Sequence, residues 1–209
     1  MVAHIRGFPA ARERTPKEES VLEVATVHFL RDGYRGASVT AMAKSSGISK
    51  ESIYRYFTGK RDLFDAVVER ELASYRDSFR HHDLNGAGAG DLRASLVDVL
   101  TRVLVVLTSD RAMAFRRIVL EEATRSPDLA RRYHEAGAGQ ACEQIASVLR
   151  VHHVPGRRDS ATLGRRLFSL VAWPVLTERD YCIRGPATQE SARILANETA
   201  DDFLKGFLI

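Results

Sequence analysis

The sequence has only two cysteines in 209 residues, Cys142 and Cys182, far apart and without CxxC spacing. That rules out a disulfide framework. It points to thiols in a reducing compartment, where inert buried thiols and a redox switch both fit the count. No apolar run approaches eighteen residues, so no segment reads as a membrane-spanning helix. Met1–Ala10 lacks an apolar core, so a secretory signal is not expected and the expected location is cytoplasmic. Also missing are a glycine-rich phosphate loop, a Ser/His/Asp or Cys/His constellation and a placeable pair of carboxylates. An enzyme is therefore not expected. The pairs His81-His82 and His152-His153 suggest a metal, but helical neighbours diverge by about 100°, and no Cys or acid completes a ligand spacing. Neither a metal nor another cofactor is expected.

What is present is a chain with 44% hydrophobic and 28% charged residues, the composition of a globular protein. The net charge is +4, a mild excess, but it is unevenly placed. Residues 1–60 hold ten Lys/Arg against six acids, and the remaining 149 residues balance. A surface that faces phosphates needs such a local excess.

The excess coincides with Val39–Phe57, VTAMAKSSGISKESIYRYF. A first helix is expected over Val39–Ser46, with Met42 and Ala43 on its apolar side. Gly47 supplies the positive φ wanted just past a helix end, and Ile48 packs inward. Ser49 is an N-cap for a second helix, Lys50–Phe57, whose Ile53 and Phe57 share a buried face. Lys50, Glu51, Ser52, Tyr54, Arg55 and Tyr56 are left outside. This is a helix-turn-helix pattern, whose second helix reads base edges in a major groove. An ordinary helical hairpin with a solvated outer face has the same pattern.

The stretch Gly33–Phe64, GYRGASVTAMAKSSGISKESIYRYFTGKRDLF, resembles the DNA-binding region of the TetR family of bacterial repressors. The matching points are Gly33-Tyr34, Ser38-Val39, Ala43, Gly47-Ile48-Ser49-Lys50, Tyr54, Phe57, Lys60 and Leu63-Phe64. The resemblance implies DNA contacts at Ser38, Thr40, Ser49, Lys50, Glu51, Ser52, Tyr54, Arg55, Tyr56 and Lys60. Ser38 and Thr40 match positions that meet the backbone or a base at the groove edge. Lys50, Glu51 and Ser52 match the base-reading end of the recognition helix. Tyr54 and Tyr56 match aromatic positions on phosphates or a thymine methyl, and Lys60 matches a phosphate-binding position. Glu51 departs from the family's frequent small residue or proline. Its carboxylate either accepts from a cytosine amino group or favours the positive helix end. Arg55 reads guanine or clamps a phosphate.

The remainder reads as helices with strong punctuation. Met1–Arg14 is either a structureless tail or a basic arm through Arg6, Arg12 and Arg14. Thr15-Pro16-Lys17-Glu18 is a capping box. It opens a helix whose Leu22, Ala25 and Phe29 should pack beneath the motif, with Tyr34 completing that core. Thr58–Asp62 opens a helix to about His81, apolar at Leu63, Val67, Leu72, Tyr75 and Phe79. Asn85–Gly90, NGAGAG, is the clearest linker. Asp91 should cap a helix from Leu92, Ser109-Asp110 one through Leu120, and Ser126-Pro127 one through Leu149. The AGAG of Ala136–Gly139 either bends that helix or lets a neighbour approach. Ser160 should open a helix kinked by Pro174. A last helix, about Thr188–Phe207, should bury a stripe of Ile194, Leu195, Thr199, Phe203 and Phe207.

The expected protein is all-α, about nine helices, with an N-terminal arm and helix-turn-helix domain over residues 1–60. Residues 61–209 form an effector-binding and dimerisation domain. It is expected to be a sequence-specific regulator, a repressor that binds a palindrome as a homodimer. The family resemblance implies release by a small-molecule effector. Met113, Phe115, Tyr133, Phe168 and Trp173 are pocket candidates, and an apolar lining points to a lipophilic effector. Leu163, Leu167, Leu195, Phe203 and Phe207 are the candidate dimer interface. The rival classes are a helical enzyme and a protein-interaction or ligand-binding bundle in which the helix-turn-helix is only a scaffold.

Overall fold

A computed structural model describes residues 14–80, 91–154 and 159–207. Among these residues every regular element is helical. The order is α1 (Pro16–Gly36), α2 (Val39–Ser46), α3 (Lys50–Tyr56), α4 (Lys60–Arg80), α5 (Leu92–Thr108), α6 (Asp110–Glu122), α7 (Pro127–His134), α8 (Gln140–Val151), α9 (Ser160–Asp180) and α10 (Gln189–Phe207). A π-helical turn, Glu135–Gly139, joins α7 to α8 without a break. The chain divides into two compact units, Met1–Val67 and Val68–Ile209. The division lies inside α4, beyond the expected boundary at residue 60. Leu63 and Phe64 are the reason: both are buried in the first unit's core.

In the first unit, the Thr15 hydroxyl caps α1 by accepting from Glu18 N at 3.2 Å. Leu22, Ala25 and Phe29 are buried as a single face. Phe29 meets Phe64 edge-on at 5.1 Å, and Tyr34 lies 4.7 Å from Phe64. Gly33, expected to end the helix, takes φ 69°, ψ 176°. The chain kinks there and makes one further turn before Ala37 N closes on Gly33 O at 3.2 Å. Burying side chains of this size contributes about 1.5–3 kcal/mol each, and this small core sets the angle between α1 and the α2–α3 pair.

In the second unit, α5 is the central rod. It packs along α10 and against α8 and α9, while α8 lies along α9. Leu96, Val99, Leu100, Val103 and Leu104 are buried throughout, as an apolar face this broad requires. Ion pairs tie α4 to this body: Glu71 to Arg111 of α6 and Glu69 to Arg132 of α7. The AGAG segment serves close approach. A Cβ at Gly137 would stand 2.4 Å from Tyr75 Cε1, so the bare π turn makes room for that ring.

Several local expectations need correction. Asp91 occupies the N-cap of α5 but makes no side-chain cap bond, and neither does Ser126 before α7. Asp159, not Ser160, caps α9, its carboxylate accepting from Thr162 N at 2.8 Å. On α10 the buried stripe is Ala192, Ala196, Thr199, Ala200 and Phe203, with Ile194 exposed. The helix is turned so that its small residues face α5. The basic arm, the NGAGAG linker, His81 and His82, and the Phe207 side chain lie outside the described residues.

Candidate nucleic-acid interface

The two short helices are built as their sequence dictates. Ser38 Oγ accepts from Ala41 N at 3.4 Å and starts α2. Gly47 closes it in the left-handed region, φ 68°. Ser49 Oγ accepts from Ser52 N at 3.1 Å and starts α3. Met42, Ile53 and Phe57 are buried beneath the pair. One face of α3 is thereby turned out.

That face carries Lys50, Glu51, Tyr54 and Arg55, all exposed. Lys50 Nζ sits 5.8 Å from the centre of the Tyr54 ring, a cation–π contact that aligns both side chains along one edge. Glu51 and Arg55 form no ion pair with a described residue. Ser38, Thr40 and Ser49 are exposed, whereas Ser52 and Tyr56 are half-buried. Ser52 spends one interaction on Ser49, Oγ to Oγ 3.0 Å. Lys60 is also half-buried: its Nζ donates to Arg35 O at 3.2 Å and lies 4.9 Å from the Tyr34 ring centre. It therefore fastens the last turn of α1 to the start of α4.

The sequence reading missed three supports. His28 is buried on α1, with Nε2 2.8 Å from Ser45 Oγ on α2. Asp62 reaches back to Thr58, accepting from its N at 2.8 Å and its hydroxyl at 3.2 Å. Arg61 joins Lys60 over Tyr34, at 5.7 Å. Only the Thr58–Asp62 pair is local, four residues apart at the start of α4. His28 and Ser45 stand seventeen residues apart, beyond any helical periodicity.

In the second unit the five pocket candidates do not converge. Met113 and Phe115 are buried on α6. Phe115 meets Tyr133 edge-on at 5.4 Å, and Tyr133 stacks on Tyr75 at 5.5 Å. Burial pushes both phenols up from their ordinary range, although Tyr133 is partly restrained by its hydrogen bonds to Tyr75 and Arg116. Arg116 in turn holds Asp180 through a forked pair, the nearest contact 2.9 Å. Phe115 and Tyr75 line a cavity of ≈ 270 Å³ together with Glu71, Val105, Val106 and Arg111. Phe168 lies on other surfaces, and Trp173 is 71% exposed, so neither reaches this cavity.

The candidate interface residues divide in the same way. Leu163, Leu167 and Phe203 are buried inside the chain's own bundle, and Leu195 is half-buried. The large apolar side chains that α9 and α10 turn outward are Leu170, Trp173 and Ile194. Cys142 is half-buried, its thiol pushed up by burial, and Cys182 is exposed; both are free.

With this geometry established, comparison with known proteins is decisive. Residues 21–67 match the family described as bacterial regulatory proteins, tetR family, and residues 94–206 match the C-terminal domain of AefR-like transcriptional repressors. The chain belongs to the TetR family. It is 29% identical over 125 residues to the HTH-type transcriptional regulator UidR of Escherichia coli (strain K12), covering 56% of this chain and 57% of that protein. The chain thus spans little more than half the length of that curated relative. A structure from Mesorhizobium loti MAFF303099, described as a TetR-family transcriptional regulator, superposes with a TM-score of 0.74. It is 23% identical and covers 92% of this chain and 98% of that one. The flavonoid-responsive regulator FrrA superposes at 0.67 with 26% identity, covering 90% and 95%. As a TetR-family protein, the chain carries the family's helix-turn-helix region within residues 21–67.

Proposed function

We propose that this TetR-family regulator binds a palindromic operator as a homodimer, represses from it, and is released by a small molecule held in the second unit. The observation that carries the reading is the outward face of α3. Lys50, Glu51, Tyr54 and Arg55 stand exposed on a helix seven residues long, fixed by a capped start and a left-handed glycine before it. Such a face offers one anion acceptor, two cations and a phenol to base edges and phosphates. Lys60 and the α2 hydroxyls flank it in sequence at positions suited to the backbone. Two copies related by a two-fold axis read half-sites about one helical turn apart.

The dimer face is assigned to the outward side of α9 and α10, around Leu170, Trp173 and Ile194. Isolated exposed apolar residues are ordinary, but three large ones on neighbouring helices mark an association surface. Release follows linkage: the effector binds the conformation that DNA disfavours, and DNA weakens the effector by the same factor.

The test is selection from a randomised duplex pool with the purified chain at moderate salt. Enrichment of a two-fold symmetric sequence is expected, lost in the Tyr54→Ala, Lys60→Ala double variant. Equal retention of all sequences by both proteins would remove the reading. Sedimentation of Trp173→Arg should show a shift to monomer.

A further inference from the structure

The cavity lined by α4, α5 and α6 carries an ion pair that the apolar effector reading does not use. Glu71 is buried, with 4% of its side chain exposed, yet Arg111 opposite it is 55% exposed. The pair is forked on one edge of the guanidinium: Nε donates to Oε2 at 2.9 Å and Nη2 to Oε1 at 2.5 Å. A guanidinium has five N–H donors in a planar fork. The edge formed by Nη1 and the second Nη2 hydrogen has no partner among the described residues, and Arg111 lines the cavity. The rest of that lining is Tyr75, Val105, Val106, Ala112 and Phe115, with Ser74, Ser78 and Ser109 beside them.

A half-exposed cation with one free edge in the wall of a largely apolar cavity has a definite complement. We propose that the cavity takes an amphiphilic carboxylate, its chain among Tyr75, Val105, Val106 and Phe115 and its anionic head on the free edge of Arg111. This rests on the reading of the second unit as the effector unit. The size is consistent. At about 30 Å³ per water-sized group, a cavity of ≈ 270 Å³ admits roughly nine such groups, which is a medium-chain acid. A second carboxylate on Arg111 shares its charge with Glu71 and weakens the hold of α6 on α4. The ligand therefore acts first on α4, the helix that continues into the first unit.

The geometry predicts opposite signs for the two partners. Arg111→Gln removes the anion site. Glu71→Gln leaves Arg111 without its competing carboxylate and strengthens the site. A purely structural ion pair would weaken ligand binding in both variants. The experiment is calorimetric titration of the DNA-free protein with octanoate and, as the uncharged match, octanol. Wild type should bind octanoate at least tenfold tighter than octanol. Arg111→Gln should erase that difference while keeping the octanol affinity, and Glu71→Gln should raise octanoate affinity several-fold. Equal affinity for the two probes, no binding of either, or a fall in octanoate affinity in Glu71→Gln would overturn the proposal. Should Arg111→Gln fail to fold, the sign of the Glu71→Gln change decides alone. Because no DNA is present, failure here leaves the operator reading standing, and failure of operator selection leaves this result intact.

Discussion

His28 Nε2 lies 2.8 Å from Ser45 Oγ, a polar contact that joins α1 to the first helix of the helix-turn-helix pair. Ser45 gives its own hydrogen to Met42 O at 3.1 Å, so the imidazole must be the donor. Its Nδ1 lies 3.3 Å from Arg31 Nη2 and 3.7 Å from Asp32 Oδ2.

Replacing His28 by Leu should therefore leave Ser45 Oγ with only its bond to Met42 O and cost about 1 kcal/mol of stability. His28→Gln, which keeps an N–H donor near the same place, should recover most of it. Urea denaturation gives the stability. If the pair also sets the α1–α2 angle, operator affinity should fall in the Leu variant and return in the Gln variant.

Glu51 should contribute selectivity rather than affinity. A carboxylate facing DNA repels phosphates, so Glu51→Gln should bind non-operator DNA more tightly. It should also lose about tenfold discrimination at one base pair, where cytosine is preferred. Selection with the variant, compared position by position with wild type, measures both. Unchanged preferences would leave Glu51 the role of favouring the helix start.

Lys60→Ala should lower the slope of log affinity against log salt by about one unit if its ammonium leaves Tyr34 for a phosphate. An unchanged slope with lowered stability would instead make it a fastener of the Arg35 carbonyl.

Gly137→Ala tests the close approach of α4 to the π turn. The added Cβ would overlap the Tyr75 ring, and overpacking of this kind costs about 1–3 kcal/mol. Tyr75→Phe does not relieve it, since the clash is with the ring edge. Tyr75→Leu combined with Gly137→Ala should recover part of the loss, read by denaturation of the three variants.

The buried phenols set an alkaline limit. Tyr75 and Tyr133 are raised above their ordinary value, so the folded chain keeps protons that the unfolded chain has released. Stability is unaffected well below about pH 10, the unfolded value, and falls as pH rises through and above it. Thermal melts between neutral pH and pH 11 should show this decline, and Tyr75→Phe should flatten it.

The sequence made some of this legible and not the rest, for physical reasons. α2, Gly47 and Ser49 were readable because caps and a left-handed glycine are local. The face of Leu22, Ala25 and Phe29 was readable from periodicity. Which side of a long apolar helix faces inward was not. Trp173 and Leu163 lie on the same helix, yet one is exposed and the other buried, and only packing against α8 decides it. The His28–Ser45 and Glu71–Arg111 pairs join different helices, so no spacing in the chain announces them.

Gly164 shows what that packing implies for assembly. A Cβ there would stand 2.8 Å from the Cys142 carbonyl oxygen, so α9 rests on α8 backbone to backbone. Any residue larger than glycine would push the two helices apart. Leu170 and Trp173 are therefore mounted on an anvil. Side chains presented from so stiff a base lose little freedom when a partner covers them, and slow amide exchange along α9 in the free chain would be its signature.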